Sequence, residues 1–322
     1  MSTSITLERG AELLDRVRTA VAGYVVGQDA TIADALTGFL ARGHVLIEGV
    51  PGTAKTLLVR ALAGALGLRF SRIQFTPDLM PSDVTGVNVL RDPSRGFEFQ
   101  AGPIFTDLLL GDEINRAPAK TQSALLEAMA ERQVTVDGVS RPLGPAFTVY
   151  ATQNPVEHEG TYPLPEAQLD RFLLKTVMPY PSRDAELELL SRYEAGFDAE
   201  RIATTEIPAA LSADEAAQLR SLVDAVRVAE DVRTYIADIT RSTREERMLS
   251  LGASPRATVA LFRAARAGAV LEGRNFVTPD DVKGVAPAVL RHRITLAPEL
   301  EVEGRTTDDV LAALLARVRV PE

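Results

Sequence analysis

Cysteine and tryptophan are both absent from the 322 residues of the chain. Without cysteine, the protein can form no disulfide, no thiolate metal site and no thiol nucleophile. Aromatic residues make up only 5% of the sequence, whereas apolar residues make up 46%. The chain can therefore bury a sizeable core, and its abundance of alanine and leucine favours helices over an all-β fold.

Long hydrophobic runs are also missing, since runs such as Leu108–Leu110 are far too short to cross a bilayer. Charged residues interrupt the apolar ones near the N-terminus, which is not the pattern of a signal peptide. The formal net charge is −9, which disfavours non-specific binding to nucleic acid or to an anionic membrane. We therefore expect a cytoplasmic protein without membrane insertion.

The length favours two domains, and the hydrophobic patterning changes character near Pro179–Ser182. Before this boundary, short apolar strands alternate with helices, which predicts an α/β fold with a parallel sheet sandwiched by helices over residues 1–180. The predicted strands are residues 44–48, 69–75, 104–110 and 147–152. Two β-hairpins are predicted as inserts, at Val84–Gln100 and at Gln133–Arg141. After the boundary, residues 181–322 are predicted to form a smaller all-α domain, with helix N-caps at Ser182, Ser212, Ser254 and Thr278.

A glycine-containing loop follows the first predicted strand and has the spacing of a Walker A motif. Its residues are Gly49, Val50, Pro51, Gly52, Thr53, Ala54, Lys55 and Thr56. Such a loop directs backbone N–H groups at phosphate oxygens, while Lys55 would contact the β- and γ-phosphates and Thr56 would bind Mg²⁺. Ala54 replaces the usual second glycine, which is tolerable if its φ is negative. The alternative is an ordinary turn before a helix.

Two adjacent carboxylates, Asp112 and Glu113, follow a hydrophobic strand. In an open α/β sheet, ligands bind at the carboxyl ends of the strands. Asp112 would then hold Mg²⁺ through water, and Glu113 would polarise the attacking water. A pair of solvated acids in a loop is the alternative, but the loop at residues 49–56 lies about 60 residues upstream and favours an ATPase.

Three further polar residues lie near predicted element boundaries. Asn154 follows a strand and is expected beside the two carboxylates, where its amide can orient the attacking water. Arg171 and Arg256 could each neutralise charge that develops on the γ-phosphate. Taken alone, Asn154 is also typical of a turn before proline, and both arginines are also typical of a protein surface.

In order, these segments resemble the AAA+ superfamily of ATPases and specifically its MoxR family. The resemblance covers essentially the whole chain, and Ala54 looks like MoxR usage. Besides the loop, its most particular segments are Gly111–Pro118, Lys120–Met129, Ala151–Pro155, Leu164–Phe172 and Ser254–Ala257. The resemblance implies a P-loop AAA+ sheet with a C-terminal helical lid, and Mg-ATP as the bound cofactor.

The resemblance also implies roles for individual residues. It implies that Asn154 is sensor 1, that Arg171 is the arginine finger and that Arg256 is sensor 2. Residues Val26, Gly27 and Gln28 look like the adenine-side segment of the family. Because an arginine finger completes a neighbouring site, the resemblance implies a homo-oligomeric ring, expected to be a hexamer, with Arg171 acting in trans. It leaves open whether Arg256 acts in cis or in trans.

As partners, the resemblance implies a protein client for chaperone-like remodelling and a protein with a von Willebrand factor A domain. A magnesium-chelatase-like motor subunit is an open alternative, because it shares these motifs. A nucleic-acid motor similar to the MCM helicases is disfavoured, since the basic residues of both hairpins are balanced by acidic ones. A non-hydrolysing ATP-gated scaffold is disfavoured by the presence of Lys55, Asp112, Glu113 and Arg171.

Overall fold

The structure, a computed structural model, describes residues 5–92, 96–154, 161–199, 202 and 207–321. Residues 93–95 of the first predicted hairpin and Pro155 lie outside these ranges. The strands are β1 Val45–Glu48, β2 Phe70–Gln74, β3 Gly86–Asp92, β4 Gly96–Ala101, β5 Leu108–Asp112, β6 Gln133–Val136, β7 Val139–Pro142, β8 Thr148–Gln153, β9 Leu174–Val177, β10 Leu249–Leu251 and β11 Thr295–Leu296.

The helices complete the element order. They are α1 Leu7–Ala22, α2 Asp29–Leu40, α3 Lys55–Ala65, α4 Pro81–Thr85, α5 Ala119–Glu131, α6 Glu166–Leu169, α7 Arg183–Glu194, α8 Ala213–Ala225, α9 Glu230–Glu245, α10 Pro255–Leu271, α11 Pro279–Leu290, α12 Pro298–Val302 and α13 Thr307–Arg317. No helix among the described residues is both long enough and apolar enough to span a membrane.

The centre of the fold is a parallel five-stranded sheet with strand order β2-β5-β8-β1-β9. All five residues of β5 are buried, as expected for a strand covered on both faces. The predicted strand at residues 104–110 is displaced in the structure, because turns at residues 102–106 delay its start until Leu108. The observed strand ends at Asp112 instead of at residue 110. The edge strand β9 was not predicted.

Both predicted hairpins are confirmed, as β3–β4 and β6–β7. The second one turns through Asp137 and Gly138, whose φ angles are +49° and +79°, as a type I′ turn requires. The hairpins also contact each other, since the Asn88 amide donates to the Asp137 carboxylate at 2.6 Å. The Arg141 guanidinium lies 3.7 Å from the centre of the Phe99 ring.

The C-terminal region is helical, as predicted, but it also contains the short antiparallel pair β10–β11. Three of the four predicted N-caps accept a backbone N–H, namely Ser182, Ser212 and Thr278. The fourth, Ser254, starts α10 but donates its hydroxyl to Asp170 instead. The main hydrophobic core is continuous between this region and the sheet, and the division at residue 180 stays a prediction.

Candidate active site

The loop at residues 49–56 connects β1 to α3, and α3 begins at Lys55. Gly52 has a φ of +84°, which favours glycine, whereas a Cβ at Gly49 would lie 2.7 Å from the Met178 carbonyl oxygen. Ala54 does not meet the condition of a negative φ, since this residue has a φ of +64°. As the N-cap of α3, Ala54 must turn the loop into the helix, and the left-handed conformation costs alanine about 1–2 kcal/mol.

Replacing Ala54 with glycine is expected to stabilise the protein by about 0.5–1 kcal/mol. Glycine removes the left-handed penalty of about 1–2 kcal/mol and adds about 0.5–1 kcal/mol of backbone entropy cost. Denaturant unfolding measures the difference. The matched control is Ala217→Gly, at an exposed position inside α8, which should cost about 1 kcal/mol. A less stable Ala54→Gly variant would contradict the strain at this position.

Lys55 extends its side chain back over the loop. Its ammonium donates to the carbonyl oxygens of Gly49 and Val50, both at 2.7 Å. Burial lowers the pKa of Lys55, while the nearby charges of Asp112 and Glu113 act in the opposite direction. A half-buried cation thus lies close to the two carboxylates at the end of β5.

Asp112 is 7% exposed and is hydrogen-bonded through both oxygens. Its Oδ1 accepts from the Thr152 hydroxyl at 2.6 Å. Its Oδ2 accepts from Arg72 Nη2 at 2.6 Å and from the Thr56 hydroxyl at 3.3 Å. The Thr152 hydroxyl also accepts from the Glu113 backbone N–H at 2.9 Å, so this side chain of β8 fixes both acidic residues.

Glu113 is the first residue after β5 and has a φ of +57°. A non-glycine residue in this conformation is strained, as is common at functional sites. Its Oε2 accepts from Gln74 Nε2 at 2.8 Å and pairs with Arg116 at 3.1 Å. Arg72 also donates to Gln74 at 2.7 Å, so side chains of β2 connect the carboxylates of Asp112 and Glu113.

A cavity of about 680 Å³ lies over these groups. Of the predicted binding residues, those that line it are Val26, Gln28, Pro51, Gly52, Thr53, Ala54, Lys55, Thr56, Asp112 and Glu113. Gly27 lies behind the wall with a φ of +69°, where a Cβ would be 2.7 Å from that of Ala185. Gln28 is buried and donates to the Pro179 carbonyl oxygen at 2.9 Å. This bond ties the N-terminal segment to the segment that leads into α7.

Three aromatic residues that the sequence did not single out line the other end of the cavity. Phe197 contacts Tyr193 with ring centroids 5.5 Å apart, and Tyr24 lies 6.4 Å from Phe197. Aromatic faces of this kind suit a flat heteroaromatic ring. The cavity therefore has a charged end that suits phosphates and an aromatic end that suits a base.

Gly49 and Val50 belong to the loop but do not line the cavity, and neither do Asn154, Arg171 and Arg256. Asn154 is buried directly after the end of β8, the strand beside β5. Arg171 is exposed and donates to the Leu126 carbonyl oxygen at 3.2 Å. Arg256 is also exposed, and its guanidinium is 3.6 Å from the Asp170 carboxylate. The structure thus brings Lys55 together with the acidic residues, but it places Arg171 and Arg256 elsewhere.

Arg293 anchors the backbone on both sides of Arg171. Its side chain is 2% exposed, and its Nε donates to Asp170 Oδ1 at 2.7 Å. Its other nitrogens donate to the carbonyl oxygens of Phe172 at 2.5 Å and Leu173 at 3.0 Å. Arg256 and Arg293, both from the C-terminal helical region, therefore contact Asp170, the residue directly before Arg171.

Family models match both regions of this fold. Residues 44–174 match the ATPase family associated with various cellular activities (AAA), and residues 241–314 match an AAA lid domain. The crystal structure of a candidate ATPase from Cytophaga hutchinsonii superposes with a TM-score of 0.89 at 40% identity, covering 98% of this chain and 97% of that one. The chain is an AAA+ ATPase, and it binds nucleotide.

Curated relatives narrow the class further. Chaperone MoxR1 of Mycobacterium tuberculosis is 42% identical over 96% of this chain and 82% of its own length. Protein YeaC of Bacillus subtilis is 47% identical over 92% of this chain and 91% of its own length. Protein MoxR of Methylorubrum extorquens is 35% identical over 98% of this chain and 99% of its own length. The chain belongs to the MoxR family.

Proposed function

We propose that this chain hydrolyses Mg-ATP to remodel or activate a partner protein, in a ring whose catalytic sites form between neighbouring copies. The observation that carries the proposal is the division of charged groups between two surfaces. Lys55, Asp112 and Glu113 line the cavity, whereas Arg171 and Arg256 are exposed and do not line it. The cavity supplies Lys55 and the oxygens for a metal, and the two exposed arginines could add the further positive charge that phosphoryl transfer needs on the γ-phosphate.

The residues at the charged end fit magnesium. The Thr56 hydroxyl and Asp112 Oδ2 lie side by side at 3.3 Å, and both are hard oxygen ligands. Among the described residues there is no cluster of three or more His, Asp or Glu side chains that could hold a metal ion. Mg²⁺ needs none, because it is usually held by one or two protein groups together with phosphates and waters. When bound, it neutralises charge on the β- and γ-phosphates.

The protein groups around the phosphates have distinct proposed roles. Lys55 exchanges its two loop carbonyls for phosphate oxygens, to which a cation binds more strongly. Glu113 accepts a proton from the attacking water, and Asn154 orients that water from the neighbouring strand. The adenine lies at the aromatic end, between residues 24–28 and the side chains of Tyr193 and Phe197.

Neighbouring subunits complete the site in this proposal. Arg171 acts in trans as the arginine finger, and a hexamer is the expected ring. Arg256 is exposed and contacts Asp170, the residue next to Arg171, which favours action in trans for this residue as well. The two hairpins, connected through Asn88 and Asp137, then pass the nucleotide state to a protein client.

The partner is proposed to be a protein with a von Willebrand factor A domain. A metal-dependent adhesion site in such a domain can recognise carboxylates, and the net charge of −9 is compatible with this. The proposed location is the cytoplasm. A boundary near residue 180 is proposed between the α/β region, residues 1–180, and the helical lid, residues 181–322.

Replacing Lys55 with alanine tests the nucleotide site directly. We expect the dissociation constant for a fluorescent ATP analogue with Mg²⁺ to rise about tenfold to a hundredfold, because charge-assisted hydrogen bonds to phosphate are lost. Phosphate release should fall in parallel. Lys120→Ala, on the exposed start of α5, is the matched control and should bind as the unmodified protein does. Unchanged affinity in Lys55→Ala would refute the proposed phosphate site.

A further inference from the structure

Arg72 is a charged residue of the cavity whose contacts are not explained by the roles given above. It lies on β2, next to β5 in the sheet. Its Nη2 and Nε atoms are 2.6 and 3.1 Å from Asp112 Oδ2, and the Thr56 hydroxyl donates to the same oxygen. A carboxylate oxygen offers about two lone-pair directions, so these donors occupy all that Oδ2 has.

The other oxygen of Asp112 is less accessible to a hydrated ion. Oδ1 accepts from the Thr152 hydroxyl at 2.6 Å, and the residue is only 7% exposed. A hydrated Mg²⁺ that is hydrogen-bonded to Asp112 through one of its waters needs a lone-pair direction of Oδ2. The guanidinium fills that direction and also carries a positive charge, which repels a second cation at short range.

We propose that Arg72 competes with Mg²⁺ for Asp112, and that it thereby sets the free Mg²⁺ concentration at which the nucleotide site becomes complete. This inference depends on the magnesium site proposed above for Thr56 and Asp112. Arg72 is a positioning residue in this role, because it acts through the carboxylate of Asp112.

The surroundings of Arg72 allow it to leave the carboxylate. The side chain is 44% exposed and lines the cavity, so moving it requires no repacking of the core. Its Nη2 also donates to Gln74 Oε1 at 2.7 Å. Gln74 can keep this bond while the guanidinium turns towards solvent, so the release of Asp112 does not leave the cation without a partner.

The test compares Arg72→Gln with a matched control on the same segment. Arg69 directly precedes β2 and pairs with Asp107 at the opposite end of the sheet, and its side chain is 69% exposed. Binding of a fluorescent ATP analogue and phosphate release are each measured as a function of free Mg²⁺. We expect the half-saturating Mg²⁺ concentration to fall about tenfold in Arg72→Gln, because a charge-assisted contact is removed. Arg69→Gln should leave it unchanged.

Arg72→Lys separates competition for the carboxylate from a general effect of charge. Lysine keeps the charge but loses the planar pair of donors, so its half-saturating concentration should lie between those of the unmodified protein and Arg72→Gln. An Arg72→Lys midpoint equal to that of the unmodified protein would overturn direct competition. An unchanged Mg²⁺ midpoint in Arg72→Gln would also overturn it. If that variant instead binds the nucleotide analogue more weakly in EDTA, without Mg²⁺, Arg72 is a phosphate ligand.

Failure of the underlying site gives a different result. If the unmodified protein binds the nucleotide analogue and releases phosphate equally well with and without Mg²⁺, the proposed metal site is wrong and the inference is overturned with it. If the unmodified protein depends on Mg²⁺ but the Arg72 variants have the same Mg²⁺ midpoint as Arg69→Gln, the inference alone is overturned and the metal site stands.

Discussion

Replacing Glu113 with glutamine is expected to lower ATP turnover by about 10²–10⁴-fold while leaving ATP binding intact. Glutamine has the size and polarity of glutamate but cannot accept the proton of the attacking water, and general-base catalysis contributes a factor of this order. The position of Glu113 supports this role, since it faces the cavity directly after β5 in a strained left-handed conformation. Single-turnover phosphate release and equilibrium binding of an ATP analogue measure the two effects separately.

The matched control for this substitution is Glu131→Gln, an identical chemical change at the exposed end of α5. This variant should hydrolyse ATP at the rate of the unmodified protein. Phosphate release by Glu113→Gln within a few-fold of that rate would remove Glu113 from the catalytic role. A Glu113→Gln protein that also fails to bind ATP would point to a general disruption of the site instead.

The same variant can identify the partner. A subunit that binds ATP without hydrolysing it should keep its partner bound for longer, so affinity capture with Glu113→Gln is expected to enrich a protein with a von Willebrand factor A domain. Recovery of magnesium-chelatase-type subunits instead would favour the alternative motor function.

Arg171→Ala is expected to reduce turnover on the order of 10³-fold, the lower end of the range for an arginine finger. Its side chain is exposed and does not line the cavity of its own chain, so the loss requires that it act on a neighbouring site. Phosphate release is again the measurement. Arg183→Ala, whose side chain is 84% exposed, is the matched control and should retain full activity.

Mixed rings then test the direction of action. In an equal mixture of Arg171→Ala and Glu113→Gln subunits, an interface that joins the intact Glu113 of one copy to the intact Arg171 of the next is restored. Random assembly makes about one quarter of the interfaces of this kind, so activity should recover to about one quarter of the unmodified level. Verified mixed rings without any recovery would show that Arg171 does not act in trans.

The contiguous part of the site could be predicted from the sequence. The loop at residues 49–56 and the pair Asp112–Glu113 each follow a buried strand, and the carboxyl ends of parallel strands meet at one edge of the sheet. The positive φ of Ala54 was not predicted, because residue type alone favours a negative φ. The chain must change direction at Ala54 so that α3 can begin at Lys55, and this requirement outweighs the local preference.

Three residues that join the site from neighbouring strands, Arg72, Gln74 and Thr152, were not predicted. Arg72 and Gln74 contact the two carboxylates only because β2 lies beside β5, and Thr152 does so because β8 lies on the other side. Alternation along a strand places Arg72 and Gln74 on one face. Had the strand order been known, this pattern would have predicted their contact with the carboxylates. The aromatic end of the cavity has no comparable local signal, since Tyr24 and Phe197 are far apart in the sequence.

The sheet also contains a strand that local sequence patterns do not predict. The edge strand β9 has only four residues, and Lys175 interrupts its apolar pattern. Its burial comes from pairing with β1 and packing against α2 and α11, which are long-range contacts. The starts of α7, α8, α10 and α11 were predicted, because N-caps are local properties of the sequence.

The contacts of Arg293 could couple ATP hydrolysis at one site of a ring to hydrolysis at the next site. It belongs to the C-terminal helical region, yet it grips the carbonyl groups on both sides of Arg171. A nucleotide held between the loop at residues 49–56 and α7 would bias the position of those helices, and Arg293 would convey that bias to the cation serving the adjacent copy. In the proposed ring, the nucleotide state of one copy would then influence hydrolysis at the site of its neighbour.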